Sequence, residues 1–564
     1  MTEFQQPVSI ASYLWTRLRQ LNIKSVHGVP GDYNLNLLDN ISSAGLQWVG
    51  SCTELNGGYA ADGYARVNGI GAMVTTGGVG ELPAISAHAG AYAEQVSLVH
   101  IVGSPTLRIR NNRKFCMHHS LGNHEYNTFK DMFKPISAAQ VSLDDVSNAP
   151  ELIDHALRTC WMASRPVYIE IPSDMAKQEI EGARLTTTLD LSSPANDPVV
   201  EQQALSLLRN RLSGAVRPCF LIDMCAARQR AGRELHQLIR RLGIPTFVTP
   251  LAQGFVDESL PNFGGLFAGK GSHVGVQDFV EGSDLVLHIG PLDTDVTTYL
   301  GSANLKPSSL IRIFPDQVVL IDAHFPSLYM KGLVQTMLGQ LDTWKVSVVT
   351  FQQPMKQNGA IAKDETVISQ KWLWPYIGTW LEPEDIVLTD TGTASFGIFG
   401  TPLPYGNMLI NISLWASIGY SLPSAQGAAL AVKDSGSGRR VIVFQGDGSF
   451  QLTCQEISTM IKHRLQVIIF VICNNGYTIE RAVHETTERY NDVLNWNYWE
   501  ILRVFDLESD FSRSYSVRTQ VEMTKLLLGR DFSTYQGVQL VELHIPEMDV
   551  PFPLQILSDL IAGR

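Results

Sequence analysis

Two short loops carry oxygen ligands at a spacing that suits a metal-bound phosphate. The first, Gly446-Asp447-Gly448-Ser449, directly follows the apolar run RRVIVFQ. Glycines let backbone approach a ligand closely, and residues 451–462 have helical periodicity, so a diphosphate fits at a helix N-terminus behind them. Asp447, at a strand end, is placed to ligate the divalent cation that such a group needs. Alone, Gly-Asp-Gly is a weak signal and reads more readily as a tight turn. The second loop, Asn474-Asn475-Gly476-Tyr477, closes another strand, LQVIIFVIC, and Asn474 comes 27 residues after Asp447. One helix and one strand fill that interval, so parallel neighbours deliver both loops to one sheet edge, where open α/β folds bind ligands. The Asp447 carboxylate, the Asn474 amide and the Gly476 carbonyl are hard oxygen ligands for Mg2+, to be completed by phosphate oxygens.

The elements that must position these loops form a repeating pattern. A helix is expected over 10–20, strands over 24–28, 72–76 and 97–102, and a helix over 84–93, closing at RPVYIEIP near Ile171. Short buried strands alternating with helices mean a parallel sheet covered on both faces. Residues 185–198 lack periodicity and carry turn formers, which marks a linker. Strands near 219–223, 245–248 and 284–289 follow, then a polar linker over 351–366, then strands at 385–388, 440–444 and 467–473. The expected fold is α/β, with three consecutive domains (1–185, 199–345 and 367–564), each a mostly parallel sheet flanked by helices.

Composition excludes several classes of function. The 564 residues include 43 basic and 55 acidic side chains, a net charge of −12, which gives no basic face for nucleic acid. With 45% apolar and 17% charged residues the chain can bury large cores. The seven cysteines are scattered and form no CxxC pair, so a reducing compartment is expected. The start, MTEFQQPVSIASYLWTRLRQ, lacks the apolar stretch of a secretory signal, and the run 467–473 is too short to span a membrane. A soluble cytoplasmic protein is the expectation.

The Gly-Asp-Gly and Asn elements together resemble the cofactor fingerprint of thiamine-diphosphate enzymes, with Cys473 where relatives often have another Asn. Glu54, in SCTELNGGYAADGYAR, then falls where such enzymes hold a carboxylate against a pyrimidine nitrogen, favouring the imino tautomer. Further blocks resemble the fungal pyruvate decarboxylase group, in the family's order: VHGVPGDYNLNLLD (26–39), GVGELPAISAHAGAYAE (78–94), HHSLGN (118–123), TDTGTASFG (389–397), LWASIGYSLP (414–423), LTCQEISTMI (452–461) and GYTIERAVH (476–484).

This resemblance implies thiamine diphosphate and Mg2+ as cofactors, a pyrimidine-binding N-terminal domain and a diphosphate-binding C-terminal one. It implies non-oxidative decarboxylation of a 2-oxo acid, pyruvate or a bulkier analogue, to an aldehyde and CO2 through a thiamine-bound carbanion. Asp32, His118, His119 and Glu480 would surround the substrate, with Asp32 and Glu480 close enough to share a proton. Thr391 and Thr393 would contact diphosphate and pyrimidine, Ala416 would offer its carbonyl beside Ser417, and Ile418 would prop the cofactor into a bent shape. Ser449, Tyr477, Thr478 and Ile479 complete the implied cofactor contacts, and Asp447, Asn474 and Gly476 the metal ligands. Two subunits would face each other across the cofactor, making a homodimer the minimal active unit and a homotetramer the expected assembly.

Departures from the pattern carry their own expectations. Val296 aligns with a pocket-narrowing phenylalanine and Ser395 with an alanine, which opens room for a bulkier 2-oxo acid or a second aldehyde. Ala416 stands for a glycine, without expected loss. His27 and the HEY stretch at 124–126 read as structural or as changes at the pocket mouth. Cys225 stands where substrate-activated members carry a regulatory cysteine, but Gln95 replaces the histidine that goes with it, so an inert buried thiol is expected. The basic run 108–114 reads as a solvated loop. Two rivals remain open: a carboligase that traps the same carbanion with an aldehyde, and a non-catalytic cofactor-binding relative.

Overall fold

The computed structural model describes residues 6–112, 114–351, 366–484, 487–508 and 510–563. The 351–366 linker falls almost wholly outside these, as do residues 1–5 and Arg113.

Among the described residues three large sheets follow one another along the chain, with a two-stranded antiparallel pair, Val8–Ser9 and Glu179–Ile180, beside them. The first has six strands, all parallel, in the spatial order Gln47–Gly50, Ser25–Gly28, Gly71–Thr76, Leu98–Ser104, Val167–Pro172, Ala139–Ser142. The last has the same number and is again all parallel: Met408–Ile410, Ile386–Thr389, Val441–Gly446, Val467–Cys473, Val538–His544, Ser512–Val517. The middle sheet has seven strands. Its parallel part runs through Phe263–Leu266, Thr246–Val248, Pro218–Ile222, Leu285–Ile289 and Leu310–Ile313. Gln317–Leu320 and Ala323–Pro326 then add an antiparallel ribbon. The α/β class and the mostly parallel sheets match the expectation; the ribbon is an addition, too short and local for the periodicity argument to separate from loop.

The first and last sheets share one hydrophobic core, whereas the middle sheet packs around its own. What joins the outer two is a helix pair, Glu54–Asn68 against Ser421–Ser435. They touch backbone to backbone: a Cβ on Gly63 would overlap the Ser424 carbonyl, and one on Gly427 would overlap the Ala60 carbonyl. Small residues are therefore what lets these helices approach, and through them the first sheet is fixed against the last.

Two local expectations need correction. The helix expected over 451–462 starts earlier and is broken: Asp447–Thr453 is helical, Cys454–Glu456 is a 3₁₀ turn, and Ile457–Lys462 resumes. Gly446 stays extended as the N-cap, so Asp447 is itself the first helical residue, and Thr453 leaves the helical region to bond its hydroxyl to Gly419 O at 2.8 Å. The basic run 108–114 is not simply solvated either. Arg110, at the end of the helix Leu107–Arg110, forms an ion pair with the buried Glu170, a partner that sequence distance conceals.

Candidate active site

Parallel pairing places Gly446 beside Ile472, so the residues that follow each strand emerge side by side. The 27-residue interval does what its length suggested: Asp447 accepts hydrogen bonds from Asn474 N (3.1 Å), Gly476 N (3.2 Å) and Gly448 N (2.8 Å). Burial pushes the Asp447 carboxyl up, against these N–H donors. Beside it, Asn474 is buried and its Oδ1 accepts no hydrogen bond. A buried, unpaired amide oxygen next to a buried carboxylate is costly unless a cation takes it up, so the donor set fits Mg2+. Gly476 has φ +115, and a Cβ there would overlap the Asn491 carbonyl, so only glycine can present this backbone.

A cavity of about 630 Å3 opens at this edge. Its lining brings together Thr391, Thr393, Ala416, Ile418, Gly446, Asp447, Gly448 and Ser449 with Asn474, Gly476, Tyr477, Thr478, Ile479 and Glu480. Neither Gly392 nor Gly446 would meet a neighbour with an added Cβ, so open space lies before both. Glu480 is exposed on the helix Thr478–Val483, which Thr478 ties to Glu547 O at 2.8 Å. Buried Arg481 anchors the same helix, bonding Asn475 O at 2.9 Å and pairing with Asp492 at 2.7 Å.

Sequence reasoning missed the residues that hold the cavity's other wall. Asp390, fully buried, accepts from Gly419 N (3.0 Å), Ser421 N (2.8 Å) and Ser421 Oγ (2.7 Å), which fixes the loop carrying Ile418. Its position inside TDTGTASFG was visible, but its partners lie 29 and 31 residues away. Ala416 takes φ +56, a left-handed conformation that favours glycine, so its substitution costs more than the carbonyl argument allowed. Ser417 faces the first sheet instead of lining the cavity, sharing a 2.8 Å hydrogen bond with Tyr59 on the Glu54–Asn68 helix. His484, Tyr490 and Asn491 line the cavity and were not singled out.

Asp32, Glu54, His118 and His119 do not line this cavity. Asp32 Oδ2 stands 2.7 Å from His118 Nε2, and Asp32 Oδ1 stands 3.8 Å from His119 Nδ1. The Tyr33 hydroxyl donates to His118 O at 2.9 Å, and its ring stacks on His118. Glu54 opens its helix behind the Thr53 cap, and burial pushes its carboxyl up. The start of this helix is pinned to the last sheet's layer, since Glu456 accepts from Asn56 Nδ2 (3.0 Å) and Cys52 N (3.3 Å). Within one chain Glu480 lines the cavity, whereas Asp32, His118 and His119 form a cluster outside its lining.

The remaining departures are also placed. Val296 packs against the cluster containing Ala394 and Phe396, and Ser395 bonds Gly392 O at 2.9 Å; neither lines the cavity, whereas Ile479 does. His27 is buried, and burial, aided by the charge of His463, pushes its pKa down to about 3. His124, of the HEY stretch, has φ +63. Cys225 is buried, accepts from Gln95 Nε2 at 3.0 Å and is pushed up to about 11 by burial, as an inert thiol would be.

Comparison with known proteins now gives the class. Residues 8–130 match the family described as thiamine pyrophosphate enzyme, N-terminal TPP binding domain; residues 205–341 match its central domain, and 390–527 its C-terminal TPP binding domain. The chain belongs to the thiamine pyrophosphate enzyme family. Over its whole length it is similar to fungal pyruvate decarboxylases. It is 46% identical to "Pyruvate decarboxylase" of Aspergillus fumigatus, covering 100% of this chain and 98% of the relative. Identity is 45% with that of Aspergillus terreus, at the same coverage. With "Pyruvate decarboxylase isozyme 1" of Saccharomyces cerevisiae it is 36%, over 96% of each chain.

Proposed function

We propose that the protein decarboxylates a 2-oxo acid non-oxidatively, releasing CO2 and the aldehyde, with thiamine diphosphate and Mg2+ held at the Asp447 cavity. Pyruvate is the first substrate to test and bulkier 2-oxo acids the next. The observation that carries the reading is the unpaired Asn474 Oδ1 beside Asp447, on a cavity whose glycines leave room for backbone contact.

When bound, thiamine diphosphate supplies the electron sink that decarboxylation needs. The chain's residues do the rest. Asp447, Asn474 and the Gly476 carbonyl hold the metal, and Gly446, Gly448, Ser449, Thr391 and Thr393 meet the diphosphate and pyrimidine. Ile418 and Ile479 set the shape and dryness of the floor, assisted by Tyr477, Thr478 and the Ala416 carbonyl, while Ser417 ties this loop to Tyr59. Glu54, its carboxyl raised by burial, holds a proton at the pyrimidine nitrogen. Asp32, His118, His119 and Glu480 move protons at the substrate carbon. Because neither Asp32 nor Glu54 lines the cavity of its own chain, we assign a homodimer as the active unit, each site taking residues from both copies, with pairing to a homotetramer. Residues 1–185, 199–345 and 367–564 are taken as its domains. Seven free cysteines support a reducing, cytoplasmic setting, and among the described residues no helix is long and apolar enough to cross a membrane.

The test is aldehyde and CO2 release across a panel of 2-oxo acids, with and without both cofactors. Cofactor-dependent aldehyde is expected; no release from any acid overturns the reading. Adding an aldehyde acceptor measures carboligation in the same tubes, as acyloin formed at the expense of free aldehyde.

A further inference from the structure

A second cavity, of about 570 Å3, lies among segments of all three thirds of the chain. Arg66 reaches it from the Glu54–Asn68 helix. Arg228, Arg233, His236 and Arg240 come from the helices Met224–Arg228 and Gly232–Leu242, and Arg439 precedes the strand Val441–Gly446. In a protein of net charge −12, five guanidinium groups here face a single lining carboxylate, Asp257. That carboxylate is already engaged by Ser259 (2.6 Å) and Arg240 (3.2 Å). Among the described residues no acidic side chain pairs with Arg228 or Arg233. Arg228 donates Nε to Glu94 O at 3.0 Å, and burial followed by the charge of Arg66 pushes its pKa down to about 10.

Buried polar atoms at the lining are also left unpaired. Asn407 is 3% exposed, yet neither its Nδ2 nor its Oδ1 makes a hydrogen bond. Arg66 pairs through Nε with the buried Asp62 at 2.7 Å, but its Nη2 makes no hydrogen bond, with Glu94 Oε2 standing 3.8 Å away. Such groups call for a partner, and idle donors among guanidinium groups call for oxyanions. Leu251, Phe255, Leu403 and Leu409 supply an apolar wall, and the volume exceeds that of an inorganic anion.

We propose that this cavity binds a phosphate monoester, its phosphate among the arginines and Asn407 and its carbon skeleton against the apolar wall. The test uses enzyme saturated with thiamine diphosphate and Mg2+, so that the Asp447 cavity is closed to added phosphate. Titration calorimetry with inorganic phosphate, glucose 6-phosphate and AMP, against acetate at matched ionic strength, is expected to show one of the esters binding at least about tenfold tighter than inorganic phosphate. Which ester binds identifies the sugar or nucleotide source. Arg233 is exposed, so Arg233→Gln should fold, and it should weaken the ester about tenfold. Asn407→Leu should weaken it likewise. Equal binding of inorganic phosphate and both esters, affinities no better than acetate's, or unchanged ester affinity in Arg233→Gln would each overturn the proposal.

Discussion

Replacing Asn474 by Leu should stabilise the protein without cofactors while removing its response to them. The Asn474 side chain is buried with an unpaired Oδ1, and an unsatisfied buried acceptor costs about 1–3 kcal/mol. Leu has a similar shape and no such cost, so the cofactor-free variant should melt a few degrees higher than the wild type. With cofactors the order reverses. At 100 times its dissociation constant a ligand stabilises by about 2.7 kcal/mol, and a hundredfold weaker site at the same concentration gives only about 0.4 kcal/mol. Differential scanning fluorimetry in chelator, then in thiamine diphosphate with Mg2+, measures both. If the variant melts below the wild type in chelator and keeps the full cofactor shift, then Asn474 is a packing residue and the metal assignment is wrong.

Other substitutions probe the frame around the site. Ala416→Gly relieves a left-handed alanine and should stabilise the protein by about 1 kcal/mol in urea denaturation, with the loop otherwise unchanged. Gly427→Ala should cost more than about 3 kcal/mol or leave the protein insoluble, because its Cβ would overlap the Ala60 carbonyl; soluble expression at wild-type stability would refute the close helix contact. For His27, the folded pKa of about 3 lies below the ordinary 6.5, so as pH falls below 6.5 the unfolded chain gains a proton that the folded one does not. Stability is therefore lost between pH 6.5 and 3, by up to about 1.4 kcal/mol per pH unit from this group. His27→Phe should flatten that acid limb in melting curves recorded from pH 7 to 5; parallel curves would contradict it.

The parts legible in the sequence were those set by local rules. Strand–helix alternation gave the parallel sheets, and a spacing of one helix plus one strand brought Asp447 and Asn474 together, because parallel neighbours end at the same edge. The residues left unread depend on contacts between distant segments. Asp390 was passed over because its partners, Gly419 and Ser421, are remote in the chain, and Glu456 because its role is to hold Asn56. The left-handed backbone at Ala416 has no signal in an alanine. The arginine cavity is assembled from five separated stretches, so no run of basic residues announces it, whereas the run that does exist, 108–114, spends Arg110 on a buried Glu170.

The proposed chemistry depends on one site built by two copies of the chain. Co-expressing Glu54→Gln with Asp447→Asn subunits, each inactive alone, and measuring aldehyde release from the mixed dimers tests this most directly. Random pairing makes half of the dimers mixed, each with one intact site, so activity should return to about a quarter of the wild-type level. Activity that stays at the level of the single variants would mean that Glu54 and Asp447 serve the same site from one chain, or none.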